Sequence, residues 1–99
     1  MTTSNIPAAR SVIAGDLTVA YLDAGPAAAL PLLCLHGAVQ TKAVWRGQIA
    51  GLAADRRVLA PDLRGHGETL GNTTAMTVES LGEDRFRFLD AVGIERAVL

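Results

Sequence analysis

The sequence has little cysteine, histidine or aromatic residue, and these shortages exclude several kinds of protein. Its 99 residues include one cysteine, two histidines and only 4% aromatic residues. Because Cys34 has no second cysteine to pair with, no disulfide can form within the chain. Its neighbours Leu33 and Leu35 predict a core strand, whereas a reactive thiol needs an electropositive and partly exposed setting. We therefore interpret Cys34 as inert packing.

Long apolar runs and clusters of positive charge are also absent. No apolar run approaches the roughly 18 to 20 residues that span a bilayer, and residues 1–5 lack the basic stretch of a signal peptide. The net charge is -1, and among the nine cationic residues only Arg56 and Arg57 are adjacent. The sequence therefore predicts a soluble, cytoplasmic protein without nucleic-acid or membrane partners.

The hydrophobic residues, which make up 49% of the chain, follow a pattern of strands and helices. Residues 11–22 predict a hairpin whose turn is formed by Gly15 and Asp16. The unbroken apolar run at residues 32–35 is typical of a strand buried on both faces, as in a parallel sheet, and residues 57–63 repeat this buried-strand pattern.

Two further segments carry apolar residues at helical spacing. Residues 41–54 predict a helix between the two buried strands, which completes a βαβ unit. A second helix is predicted to begin after Thr77, a favourable N-cap, and to end at Gly93, a favourable C-cap. Another buried strand is predicted over residues 94–99.

Each of the two buried strands ends in a glycine-containing turn. His36-Gly37-Ala38 follows the first strand, and Asp62-Leu63-Arg64-Gly65-His66-Gly67 follows the second. With the order of elements from about residue 17 to 99, these motifs resemble the N-terminal part of an α/β-hydrolase domain of the AB hydrolase-1 type. The resemblance implies a three-layer α/β/α sandwich with an incomplete sheet, whose five strands run in the order 1-2-4-3-5 with strand 2 antiparallel. Residues 11–99 would be the first part of one domain, truncated before the nucleophile elbow, and residues 1–10 a flexible lead-in.

The resemblance also implies roles for individual residues. In the family, the turn after the third strand donates a backbone N–H to the oxyanion hole. The matching position is Ala38, and Val39 beside it is a candidate substrate contact. Gly37 allows the backbone to turn sharply and to approach the substrate. The residues expected to be structural parts of the two turns are His36, Gly37, Asp62, Arg64, Gly65 and Gly67.

The sequence holds no Gly-x-Ser-x-Gly motif. The resemblance implies that the nucleophile, the catalytic acid and the catalytic histidine come after these residues in chain order. We expect the isolated chain to be inactive. By the resemblance, the full-length parent is a hydrolase of a small ester-like substrate with a Ser-His-Asp mechanism. Ala38 and Val39 favour this because dehalogenases and epoxide hydrolases often carry bulkier aromatic or acidic residues after the His-Gly pair.

Three alternatives remain open at this point. The parent could use an aspartate nucleophile, as epoxide hydrolases and haloalkane dehalogenases do, or could be a ligand sensor with the same fold. The chain could also be an inactive fragment or an interaction module, whose last strand forms an exposed edge through which it self-associates.

No cofactor or metal is expected. The residues that could ligate a metal lack the short paired spacings of zinc sites; they are Cys34, His36, Asp62 and His66. The glycines from Gly65 to Gly71 do not match the dinucleotide fingerprint. Trp45 could line a substrate pocket or anchor its helix on the sheet, and we favour the second interpretation.

Overall fold

The computed structural model describes residues 9–26, 30–36, 41–71, 77–95 and 97. In chain order the elements are β1 (Arg10–Ala14), β2 (Leu17–Ala24), β3 (Leu32–Leu33), a 3-10 helix (Lys42–Trp45), α1 (Arg46–Leu52), β4 (Val58–Pro61), β5 (Leu70–Gly71) and α2 (Val78–Ala91).

The first two strands form the predicted hairpin. Ala14 of β1 pairs with Leu17 of β2, which leaves Gly15 and Asp16 as a two-residue turn. Gly15 has a φ of +63°, the left-handed backbone that this tight turn requires and that glycine adopts without strain.

The sheet has the predicted arrangement over its first four strands. Their order is β1-β2-β4-β3, with β2 antiparallel to β1 and to β4, and with β3 parallel to β4. A further strand was predicted over residues 94–99. Residues 96, 98 and 99 lie outside the described part of the chain, so this strand stays a prediction. The described residues also include the short strand β5, which was not predicted and which pairs with the start of β2.

Helices cover both faces of this sheet, because successive side chains of a strand point to opposite faces. Tyr21 of β2 contacts Phe88 of α2, with ring centroids 5.1 Å apart in an edge-to-face arrangement. The next residue, Leu22, belongs to a second buried cluster with Ile49 of α1. The three-layer α/β/α arrangement is therefore confirmed.

The helix predicted at residues 41–54 forms as the 3-10 helix followed directly by α1. Thr41 caps its start by accepting a hydrogen bond from the Ala43 N–H. Trp45 packs against the cluster around Ile49, the contact expected of an anchor on the sheet.

Helix α2 has well-formed ends. The Thr77 hydroxyl accepts the Ser80 N–H at 3.0 Å, and the Ser80 hydroxyl accepts the Thr77 N–H at 2.9 Å, a reciprocal capping box. At the other end Gly93, with φ +76°, lies one residue beyond the C-cap. The Ile94 N–H then reaches back to the Leu89 carbonyl at 2.8 Å, as in a Schellman motif. Both predicted ends of α2 are confirmed to within one residue.

Candidate functional site

The turn after β4 is built around the buried carboxylate of Asp62, which is 1% exposed. Its Oδ1 accepts the backbone N–H of Lys42 at 2.7 Å, and its Oδ2 accepts the Lys42 ammonium at 2.7 Å. A third hydrogen bond comes from the Glu68 N–H to Oδ2 at 2.9 Å. Asp62 thus joins its own turn to the start of the 3-10 helix.

The surroundings of Asp62 keep it ionised. Burial alone raises the pKa of a carboxyl group, but the hydrogen bonds from Lys42 and from the Glu68 N–H outweigh burial and hold the pKa of Asp62 below its usual value. Burial also lowers the pKa of the Lys42 ammonium, yet its hydrogen bonds to Asp62 and Glu68 raise that pKa overall. Both groups are therefore charged at neutral pH.

Two neighbouring residues shape the turn. Gly67 has φ +52°, and a Cβ placed on it would overlap the Asp62 carboxylate, so glycine is needed for space as well as for conformation. The Thr69 hydroxyl donates to the Asp62 carbonyl at 2.7 Å and accepts the Ala20 N–H at 3.0 Å. A hydroxyl at this position thereby joins the turn to β2.

Both histidines take part in the structure of this region. His36 is 4% exposed, and its Nε2 accepts the Leu63 N–H at 2.9 Å, which places the ring proton on Nδ1. His66 donates from Nδ1 to the Arg64 carbonyl at 2.9 Å. The two rings lie 5.1 Å apart between centroids. Within the described ranges no group of three potential metal ligands comes together.

Arg64 fixes the outer side of the turn. Its guanidinium is 3% exposed and makes paired hydrogen bonds of 2.8 and 2.9 Å to Asp84 of α2. It also makes hydrogen bonds of 2.7 and 3.0 Å to Asp16 in the hairpin turn. These carboxylates raise the pKa of Arg64, and the guanidinium in turn lowers the pKa of Asp16.

The structure brings five of the predicted residues into one connected region. His36 and Leu63 are joined directly, and the remaining members lie in the turn after β4; they are Asp62, Arg64, Gly65 and Gly67. The predicted oxyanion donor Ala38, its neighbour Val39 and Gly37 lie outside the described residues, so their assignments stay predictions.

Three charged residues of this region were not predicted from the sequence. Lys42 is the chain's single lysine and comes directly after the helix N-cap. Asp84 occurs one turn before Phe88, on the inward side of α2, where a carboxylate needs a partner. Asp16 was recognised only as part of the hairpin turn. The inward position of Asp84 was the signal that could have suggested a buried cation opposite it.

Comparison with known proteins identifies the fold family. Residues 31–99 match the alpha/beta hydrolase fold family. The chain therefore belongs to that family, and the resemblance carried by the two turn motifs is confirmed.

Individual relatives include several kinds of hydrolase. Over 98 residues the chain is 36% identical to epoxide hydrolase A of Mycobacterium tuberculosis, a match that covers 93% of this chain and 30% of that protein. Over 56 residues it is 43% identical to 3-oxoadipate enol-lactonase 1 of Acinetobacter baylyi, covering 54% of this chain and 20% of that protein. The structure also superimposes on an epoxide hydrolase from Vigna radiata with a TM-score of 0.86 and 27% identity, covering 97% of this chain and 31% of that one.

The matched region is thus a fifth to a third of each relative's length. In the part of the chain that the structure describes, no helix is long and apolar enough to cross a membrane.

Proposed function

We propose that the His36-Gly37-Ala38 turn and the turn after β4 form the oxyanion-binding side of a hydrolase that acts on a small ester-like substrate. The observation that carries the proposal is the hydrogen bond from the Leu63 N–H to His36 Nε2. His36 lies two residues before Ala38, so the chain enters the predicted oxyanion turn from a buried and fixed residue.

The proposed chemistry needs such a fixed entry. A serine nucleophile attacks the substrate carbonyl, and negative charge develops on the carbonyl oxygen. A backbone N–H at Ala38 would stabilise that charge by roughly 3 to 4 kcal/mol, provided that it is held in place before the charge appears. The nucleophile, acid and histidine would come from a region beyond these 99 residues, so we expect the chain alone to show no turnover. No cofactor is required for this chemistry.

The enol-lactonase relative supports an ester-like substrate, since a lactone is a cyclic ester. The similarity to epoxide hydrolase A over almost the whole chain favours a second candidate function. In that candidate an aspartate nucleophile opens an epoxide or displaces a halide, and the fold permits either nucleophile.

A non-enzymatic role is the remaining proposal. The chain would then act as an interaction module, with the strand predicted over residues 94–99 pairing with another copy. Size-exclusion chromatography with light scattering tests this proposal, because a monomer at high concentration would contradict it.

The first experiment is to sequence the coding DNA downstream of the Leu99 codon. A Gly-x-Ser-x-Gly motif there supports the serine hydrolase, and an aspartate at the centre of the motif supports the second candidate. A stop codon directly after Leu99 supports the interaction module.

The second experiment tests the oxyanion donor directly in the protein that carries these residues and a nucleophile. Replacing the backbone amide N–H of Ala38 by an ester oxygen removes the donor and keeps the side chain. We expect kcat to fall by about 10²- to 10³-fold. The same replacement at Val39 is the matched control, and equal effects at the two positions would contradict the assignment.

A further inference from the structure

The four residues 37–40 are flanked on both sides by residues that contact one turn. On the near side His36 accepts the Leu63 N–H at 2.9 Å. On the far side Lys42 contacts the residue just before Leu63, because its N–H and its ammonium both bind Asp62. Consecutive residues of the turn after β4 thus hold the two flanks of this segment.

Lys42 holds Asp62 by both carboxylate oxygens. Its N–H binds Oδ1 and its Nζ binds Oδ2, each at 2.7 Å, and the side chains of Lys42 and Asp62 are 6% and 0% exposed. The Nζ also binds Glu68 at 2.7 Å, but that carboxylate is 72% exposed. A surface ion pair contributes little, whereas removing one partner of a buried pair leaves an uncompensated charge. The contact with Asp62 is therefore the one whose loss we expect to destabilise this region.

From this geometry we propose that Lys42 is a positioning residue, which fixes the far flank of the oxyanion segment through Asp62. The proposal rests on the proposed function, since its catalytic consequence requires the donor at Ala38. Without the ammonium, the buried Asp62 loses the one cation that the described residues place in contact with it. Its hydrogen bond to the residue 42 N–H then weakens, and the flank is no longer held in one place.

The unaltered chain offers a direct measurement of the contact. Lys42 is its single lysine, so the side-chain ammonium gives one assignable signal in proton–nitrogen NMR. We expect its protons to exchange slowly with water and the signal to persist above the usual lysine pKa of about 10.4. A rapidly exchanging ammonium with an ordinary titration would overturn the proposal, whether or not any variant folds.

Variants test the mechanical consequence. In Lys42→Met we expect the amides of residues 42 and 68, which both donate to Asp62, to exchange about 10- to 100-fold faster, as for a lost hydrogen bond to a charged group. Arg57→Met is the matched control, because it breaks a 2.9 Å ion pair to Asp23 instead. It is expected to leave those two amides unchanged. Equal exchange in Lys42→Met and the unaltered chain would overturn the proposal.

Kinetics in the full-length hydrolase test the catalytic consequence. Lys42→Met is expected to lower kcat by about 10- to 100-fold with little change in KM, because a displaced donor matters only in the transition state. Lys42→Arg restores a cation and is expected to recover part of kcat. An unaltered kcat in Lys42→Met overturns the positioning role. Absence of hydrolysis by the unaltered enzyme overturns the proposed function instead, while the exchange results still decide the anchoring of the flank.

Discussion

Gly67 and Gly93 share a left-handed backbone conformation but differ in their surroundings. Alanine substitutions at the two positions therefore distinguish backbone strain from steric overlap. Gly67 has φ +52° and Gly93 has φ +76°, so an alanine at either position adopts an unfavourable left-handed conformation. That strain costs about 1 to 2 kcal/mol. The positions differ in their surroundings. A Cβ on Gly67 meets the Asp62 carboxylate, whereas a Cβ on Gly93 meets none of the described residues within 4 Å.

The expected difference follows from the hydrogen bonds that would be disturbed. To admit a methyl group at position 67, the Asp62 carboxylate must shift away from at least one of its three donors. Each hydrogen bond to a charged group is worth about 1.5 to 3 kcal/mol. We therefore expect Gly67→Ala to lose about 3 to 5 kcal/mol in the free energy of unfolding, and Gly93→Ala to lose only the strain of about 1 to 2 kcal/mol.

Urea titration followed by tryptophan fluorescence measures both losses, since Trp45 is the single tryptophan and packs against the core. The slope of the transition must stay constant for the free energies to be compared. Equal losses in the two variants would refute the reasoning, because the Asp62 carboxylate would then contribute nothing to the need for glycine at position 67.

Three further expectations concern the core, a helix and the pH dependence. Phe88→Ala is expected to lower the unfolding free energy by about 3 to 5 kcal/mol, whereas Ile13→Ala, at a side chain 75% exposed, changes it little. Similar losses in urea titration would contradict the burial of Phe88 in the core. Gly47→Ala, in α1 with open space around it, is expected to add up to about 1 kcal/mol, and a loss there would contradict the helix. Because the pKa of Asp62 is lowered by folding, its contribution is complete above the unfolded pKa of about 3.9 and is lost as the pH falls further. Acid titrations of stability are expected to be less steep in Asp62→Asn, and an unchanged slope would count against this origin.

The elements that the sequence predicted well are those whose signals are local. The hairpin turn at Gly15, the cap at Thr77 and the apolar runs of β3 and β4 each depend on a few neighbouring residues. Burial on alternate faces then follows from the strand period. Strand β5 was missed because two exposed residues, Leu70 and Gly71, carry no periodic pattern and pair only through the backbone.

The charged contacts of the site could not be predicted in the same way. Lys42 binds carboxylates 20 and 26 residues away, and Arg64 binds one that lies 48 residues away. Such pairs depend on the folded path of the chain and leave no periodic trace. A lysine is also almost never fully buried unless it is paired. Composition alone therefore gives no sign that Lys42 is buried in an ion pair.

The burial of Lys42 has a practical consequence for chemistry performed on this protein. It is the only lysine side chain in the sequence, and it is 5% exposed with its ammonium engaged by two carboxylates. Acylating labels and amine-directed cross-linkers need a neutral, accessible amine, and a raised pKa and burial deny both. Such reagents would find no lysine to attack on the folded chain, and the reactivity of Lys42 toward them would instead report unfolding.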